Sequence, residues 1–474
     1  MSLARRRAGR KPNQSKHGTY AAIALAAVAA GCGTDAPLQP VSPTIEQAAV
    51  VPGAYSVLSA VVTAVVRDAD SAVVRFGIQG MALDSTTPAV VPQDSATLLV
   101  LGLLPATHYQ LQVVAYGAGA PAHSDTLELT TGLLPSDLPS FTAAGTDPSP
   151  GFVAFAIGTY GVVIDNTGRV VWYRQLPGGM TLNFQPQATG TYFSQPVTPA
   201  AGDFTPWVEI DPSGTVLRTF GCAGGLRSRF HDIIAYADGS YWLMCDETRT
   251  MDLTASGGLA SAEVTGTVIQ HVSRTGALLF AWNAFDHFDI TDLDLQSRLG
   301  PVVNWTHGNA LDIDAQGHLL VSFRSLSEIT SIDLASGAIV WRMGGLRNQF
   351  AFEGAWPPFT RQHGVRSLGR GEIQLLDNLG DQAGSRAQRL TFDETAHTVS
   401  RKTTYSGQPA VTALLGGSTQ RLAGDRMLVA YGNGNRVQEY NAAGTVAWEL
   451  LGNPGYIFRA VRVASLYAPG ASPP

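Results

Sequence analysis

A chain of 474 residues with 51 Gly, 27 Pro and only 14% charged residues carries too many turn formers for a helical bundle and points to turn-rich β architecture. Its formal charge is −6, and the basic residues Arg5, Arg6, Arg7, Arg10, Lys11 and Lys16 lie within positions 1–31, where there is no acid, so the rest carries −12. Lys402 is the single lysine beyond them, and so acidic a remainder is a poor nucleic-acid binder, because phosphate contacts need clustered Lys and Arg, so no nucleic-acid partner is expected.

The basic start runs into an apolar stretch from Tyr20 to Ala30 that ends in Ala29-Ala30-Gly31-Cys32. This is the pattern of a secretory signal over residues 1–31, too short to stay as a membrane span. Small residues directly before a cysteine resemble the bacterial lipoprotein box, which implies lipid attachment at Cys32. Gly33 after the cysteine, rather than Asp, implies the outer membrane by the same resemblance. The expected location is therefore the periplasm or cell surface, with the membrane met only through the lipid at Cys32; ordinary cleavage to a soluble periplasmic protein is the alternative. Residues 32–45 read as a tether.

From 46 to 132 the chain alternates, as in Ser59-Ala-Val-Val-Thr-Ala-Val-Val and Ser71-Ala-Val-Val-Arg-Phe-Gly. The stretch from Leu101 to Tyr116, with Tyr109 at a corner, resembles the E–F corner of a fibronectin type III domain and implies a small β-sandwich. Residues 133–150 are a linker by composition.

A repeat then occupies 151–467. Asp165-Asn-Thr-Gly-Arg-Val-Val-Trp, Asp211-Pro-Ser-Gly-Thr-Val-Leu, Ser273-Arg-Thr-Gly-Ala-Leu-Leu, Asp333-Leu-Ala-Ser-Gly-Ala-Ile-Val-Trp and Asn441-Ala-Ala-Gly-Thr-Val-Ala-Trp are versions of one hairpin, and Asp393-Glu-Thr-Ala-His-Thr-Val is a degenerate sixth. From Gly168 to Gly444 they recur about every 55 residues, the period of a β-propeller blade. The expected fold is all-β: a six-bladed propeller preceded by a small β-sandwich domain. An array of sandwiches is the alternative. Cys222 and Cys245 in this region are expected to form a disulfide if the chain is exported; two buried thiols are the alternative, and no second pair stands at zinc-finger spacing.

Three segments stand in one phase of the repeat, ahead of a turn and an apolar strand: Phe230-His231-Asp232, Thr306-His307-Gly308-Asn309 and Gln362-His363-Gly364. Another repeat has Gly417-Ser418-Thr419 there instead. A packing rule would fall on every repeat, so the histidines point to a shared site where the inner strands of a propeller converge. Asn309 adds an amide on the His307 face and Arg324 a fixed cation. Imidazole, amide and guanidinium with few acids suit a tetrahedral anion such as sulfate or phosphate. Three histidines can also hold zinc, but the adjacent Arg would repel a dication, so no metal is expected on the cluster. The acidic run Asp286–Asp294 lacks the spacing of a calcium loop and reads as a solvated connection. Asp232 either orients the His231 ring or caps a turn.

The set His231-Asp232, Trp305-Thr-His-Gly-Asn309, Phe323-Arg324 and Gln362-His-Gly364, over Asp-x-x-Gly-x-x-x-Trp hairpins, resembles the bacterial arylsulfate sulfotransferases. That resemblance implies a periplasmic six-bladed propeller that moves a sulfuryl group from a phenolic sulfate donor to a phenol acceptor without a nucleotide or other cofactor. It implies that His363 is a nucleophile that becomes sulfated, and that His231, His307, Asn309 and Arg324 hold the sulfuryl oxygens. His231 or His307 would also handle the phenol proton. A covalent intermediate predicts ping-pong kinetics. The aromatics Trp305, Phe352, Trp356 and Phe359 are candidates to stack on phenolic rings, with core packing as the other reading. Two rivals remain: an aryl sulfate hydrolase, and a non-catalytic binding or adhesion propeller. Oligomeric state is not legible in the sequence.

Overall fold

Alternation builds the first part of the molecule. In Ser59–Arg67 the residues Ala60, Val62, Ala64 and Val66 point inward while Thr63 and Arg67 face solvent, the period-two pattern of a half-buried strand. The structure is a computed structural model that describes residues 40–176, 179–198, 203–204, 206–354, 359–381 and 384–470. The signal segment, Cys32 and Trp356 lie outside the described residues.

Thr44–Pro52, Ser59–Arg67 and Ser95–Leu101 form one sheet. Ser71–Ile78 and His108–Tyr116, with three short edge strands, form a second. The two enclose a single core that includes Val62, Val74, Leu98, Leu111 and Val113. Tyr109 is buried, and its hydroxyl accepts the Leu104 N–H at 2.8 Å, which pins the corner between two strands.

Beyond it, among the described residues, six sheets follow one another, each with an antiparallel run of four strands, which in the first sheet includes the late strand Ala460–Val463. Their innermost strands are Ala460–Val463, Met180–Pro186, Arg227–Ala235, Gly308–Ile313, His363–Gly369 and Ser418–Leu422. The recurring hairpin has a local cause. Asp165 Oδ1 accepts the backbone N–H groups of Thr167 and Arg169, and Gly168 takes φ +90°, which a side chain would oppose. Asn441 and Gly444 (φ +79°) repeat the device. The hairpin tryptophans then tie neighbours together. Trp172 Nε1 donates to the Pro212 carbonyl of the next sheet, and Trp448 Nε1 to Asn166 of the first.

Inner contacts complete the ring. Asn183 donates to the carbonyl of Phe230, Asn309 to Gln362, Gln374 to Thr419, and Gln420 to Arg462. The two ends of this region close it, because Ala460–Val463 pairs with Phe152–Ile157. Ala143–Ala144 of the expected linker adds an edge strand to Val446–Leu450. This is a β-propeller arrangement, and it sets the starts of the inner strands side by side. No helix among the described residues is long and apolar enough to cross a membrane.

Candidate functional site

The three histidines occupy consecutive inner strands. His231 lies within Arg227–Ala235, His307 directly precedes Gly308–Ile313, and His363 opens His363–Gly369. They meet. The Nε2 atoms of His231 and His307 are 3.3 Å apart, with ring centroids at 4.9 Å. Phe458 lies near both the pair and the third ring, 5.7 Å from His231 and 6.2 Å from His363 between centroids. Phe230 stacks on His231 at 4.2 Å.

His307 reaches this place through an unusual backbone. Its φ is +49°, a left-handed conformation that a non-glycine residue rarely adopts and that costs of order 1–3 kcal/mol. The neighbouring sheet holds it there: Thr267 Oγ1 accepts the Gly308 N–H at 2.8 Å, and Thr306 Oγ1 donates to the same oxygen at 2.9 Å. The Arg324 N–H donates to the His307 carbonyl at 3.0 Å, binding the fourth sheet's second strand to the first.

Hydrogen bonding distinguishes the rings. The N–H···N contact between His231 and His307 occupies both of their Nε2 atoms, whichever carries the proton. His307 Nδ1 also faces the Asn304 amide at 2.6 Å, while His231 Nδ1 is buried with no hydrogen-bond partner among the described residues. His363 differs. Its Nδ1 lies 2.7 Å from Asn378 Oδ1, and Asn378 Nδ2 donates to the carbonyls of Ala413 and Gly416 at 2.9 and 2.8 Å. With both amide hydrogens committed, Asn378 presents an oxygen, which can only accept. His363 therefore carries its proton on Nδ1 and a lone pair on Nε2.

All three rings are held neutral. Burial drives the His363 pKa down to about 3, with Arg324 and Arg459 adding to the effect and hydrogen bonds to Asn378 and the Arg361 backbone opposing it. His231 falls well below the usual imidazole range through burial, then through His307, Arg229, His363 and Arg459. His307 does the same through burial, then Arg229, His363, Arg324 and Arg361.

The other expected residues divide. Arg324 Nη2 donates to the Leu414 carbonyl at 3.0 Å, and its buried Nε has no protein acceptor among the described residues. Burial lowers its pKa. Asn309 spans to the next sheet through Nδ2 and the Gln362 carbonyl at 2.6 Å, leaving Oδ1 buried and unpaired among the described residues. Trp305 is not at the cluster: its indole is buried in a core with Val264 and Leu293 and packs on Phe285 at 4.9 Å. Phe352 lies in a strand at the outer edge of the fifth sheet, and Phe359 is buried in the core beside it. Asp232 neither orients the His231 ring nor caps a turn. Its buried carboxylate pairs with Arg366 at 2.8 Å and Arg459 at 3.1 Å and accepts the Leu311 N–H. The acidic run is not simply solvated either, since Asp292 is buried between Arg342 (2.9 Å) and Arg347 (2.6 Å).

The cysteines behave as expected: Cys222 and Cys245 are bonded, with Cα atoms 6.1 Å apart. The bridge anchors Asp246, the next residue, which pairs with Arg229 at 2.7 Å. Among the described residues no group of three or more His, Cys, Asp or Glu is arranged to hold a metal.

Sequence reading missed Asn378, Phe458 and Arg459. The last two had a signal, for Phe458-Arg459 stands just before the inner strand Ala460–Val463, in the phase of the histidines. Arg459 Nη2 donates to the His231 carbonyl at 2.9 Å, and burial lowers its pKa to about 10. Asn378 sits on a second strand, where its only mark is the polar pair Asp377-Asn378 in an otherwise apolar run.

No curated protein matches the chain. Solved structures resemble it only at low similarity. A protein of unknown function from Bacteroides caccae is 11% identical, with a TM-score of 0.43 over 66% of this chain and 98% of that one. A virginiamycin B lyase from Staphylococcus aureus is 10% identical, with a TM-score of 0.36 over 65% and 87%. A regucalcin from Agrobacterium tumefaciens is 13% identical, with a TM-score of 0.31 over 68% and 97%. At these values the likeness carries no functional conclusion. A sequence family speaks more directly: residues 227–453, the segment that holds His231, His307, Asn309, Arg324, His363 and Asn378, match the model of the arylsulfotransferase (ASST) family.

Proposed function

We propose that the chain is a nucleotide-independent aryl sulfotransferase that works through a sulfohistidine at His363. One observation carries the reading: of the three clustered imidazoles, His363 has its Nδ1 on the Asn378 oxygen and its Nε2 outside the His231–His307 contact. The family match over 227–453 supports the reaction class.

In the first half-reaction His363 Nε2 forms a bond to sulfur while the bond from sulfur to the aryl oxygen breaks. The electron pair leaves on the phenolate, which takes a proton from water, and the ring becomes an Nε2-sulfoimidazolium with its Nδ1–H kept on Asn378. Arg324 Nε–H and the second Asn309 amide hydrogen are donors for charge on the transferring oxygens, a role worth roughly 10²–10³-fold for one such donor. In the second half a phenol oxygen forms the new S–O bond and the N–S electron pair returns to Nε2. The phenol proton goes to a neutral imidazole of the His231–His307 pair, and from that imidazolium to water. Phe230 and Phe458 offer aromatic faces and edges for the phenolic ring.

The neutral state of His363 suits a nucleophile, because protonation would consume the lone pair. The proposed setting is an exported protein held to the outer membrane by lipid at Cys32, with a fibronectin type III-like module ahead of the propeller.

The test is the mature protein with 4-nitrophenyl sulfate, following nitrophenolate release with and without phenol. Release accelerated by phenol, with sulfated phenol as product, is the expected result. Release indifferent to phenol would instead mean hydrolysis, and no release across several aryl sulfates would leave a binding propeller.

A further inference from the structure

We propose that Asn378 is the positioning residue of this site: it locks His363 as the Nδ1–H tautomer and, being uncharged, keeps the sulfated ring reactive. The inference rests on the sulfohistidine reading for its second half and on geometry alone for its first.

Asn378 is buried on Glu372–Asp381, the strand paired with His363–Gly369. Its amide has two hydrogens, and the Ala413 and Gly416 carbonyls take both. Turning the amide over would set its oxygen against those two carbonyl oxygens and lose both N–H donors to them in the interior, which is costly. The oxygen therefore stays on His363 Nδ1, and the Ala413 and Gly416 carbonyls, from the segment between the fifth and sixth sheets, dictate the tautomer through Asn378.

The chemistry of the partner matters as much as its geometry. A carboxylate in this place would favour a charged imidazolium and so stabilise both protonated and sulfated His363. An amide accepts the same proton without that charge, so the sulfoimidazolium stays a good sulfuryl donor and the resting ring stays unprotonated. The charged groups around His363 act in the same sense. Arg324 and Arg459 disfavour a cation there, Asn378 and the Arg361 backbone favour it, and His231 and His307 are neutral neighbours. Asp377, next to Asn378, is turned away onto Arg386 at 3.1 Å and Gln388 at 2.9 Å.

The experiment uses the full chain with 4-nitrophenyl sulfate and phenol, together with ¹⁵N-histidine NMR. In the unaltered protein the His363 ring is expected as Nδ1–H down to pH 5; an Nε2–H or mixed ring would overturn the proposal whatever the enzyme does. In Asn378→Asp the acid limb of kcat/KM should move up by roughly one to three pH units. The sulfated protein, seen as one added SO₃ by intact mass, should also discharge to phenol at least about tenfold more slowly. Asn378→Ala, in case the Asp variant fails to fold, should mix the tautomers and slow both half-reactions by about 10²-fold or more. A purely structural residue would lower stability and leave tautomer, pH limb and discharge rate as they are; that result would overturn the proposal. If the protein ignores aryl sulfates while the ring is still Nδ1–H and becomes mixed in Asn378→Ala, positioning stands and the substrate reading falls.

Discussion

His231 and His307 face each other Nε2 to Nε2 across 3.3 Å, so neither offers a free lone pair there while the pair is intact. They come from adjacent sheets, and the left-handed turn at His307 closes the gap. In the proposed mechanism this arrangement divides the labour: one ring would bond to sulfur and the other two would manage a proton and charge.

That division predicts a split between half-reactions. His307→Gln keeps a donor but removes the base. Nitrophenolate release in the first turnover should stay within about tenfold of the unaltered protein, while discharge to phenol slows about 10²-fold. Single-turnover kinetics separates the two, and equal loss in both would end the proton role.

Arg324 should not tolerate its usual replacement. Arg324→Lys keeps the charge but loses the Nη2 bond to Leu414 and the Nε donor. We expect kcat/KM to fall by roughly 10²-fold or more with the melting temperature little changed. Retained activity would make Arg324 a support for the Leu414 segment only.

Asp232 is a matter of stability. Asp232→Ala leaves Arg366 and Arg459 without their shared carboxylate, and breaking such a buried pair costs about 3–5 kcal/mol. Denaturant unfolding checks the figure; a change below about 1 kcal/mol would mean that the two guanidinium groups find other acceptors.

Acid should weaken the fold through the histidines. The His363 pKa is depressed to about 3 in the folded state, below the roughly 6.5 of an unfolded imidazole. Between those values the unfolded chain binds the extra proton, so stability rises with pH and is lost as pH falls below about 6.5, by up to about 1.4 kcal/mol per pH unit for this ring. Buried carboxylates raised in the fold, Asp246, Asp312, Glu328 and Asp377, act in the opposite sense. The comparison is therefore His363→Gln against the unaltered protein at pH 7 and pH 5. The variant should lose less stability over that interval, and identical slopes would contradict a neutral buried His363.

The bridge can be tested by reduction. Cys222 and Cys245 are 23 residues apart in sequence, a loop whose closure stabilises by about 3 kcal/mol in the chain-entropy account. Reductant should lower the melting temperature of the unaltered protein and leave Cys222→Ser/Cys245→Ser unmoved at the lower value. A melting temperature insensitive to reductant would show that the loop is held by its other contacts.

Much of the fold could be read because its determinants are local. An Asp or Asn three residues before a Gly makes the same hairpin turn at Asp165–Gly168 and at Asn441–Gly444. Period-two burial marks strands such as Ser59–Arg67. Phase within the repeat was enough to bring His231, His307 and His363 together, since equivalent positions of inner strands meet in a ring. What phase cannot carry is which partner each side chain meets. Trp305 stands two residues from His307, yet it turns into the core with Phe285, because both precede the strand Gly308–Ile313 and the left-handed backbone at His307 (φ +49°) breaks the alternation there. Phase is equally silent on the Asp232 link to Arg366 and Arg459 and on the Asn378 contact with His363, because those partners come from other strands. The sequence by itself determined the turns, the strands and the shared phase of the histidines. Only the tertiary structure decided protonation and polarity at the site, because these depend on burial and on acceptors such as Ala413 and Gly416, supplied from distant segments at hydrogen-bond distance.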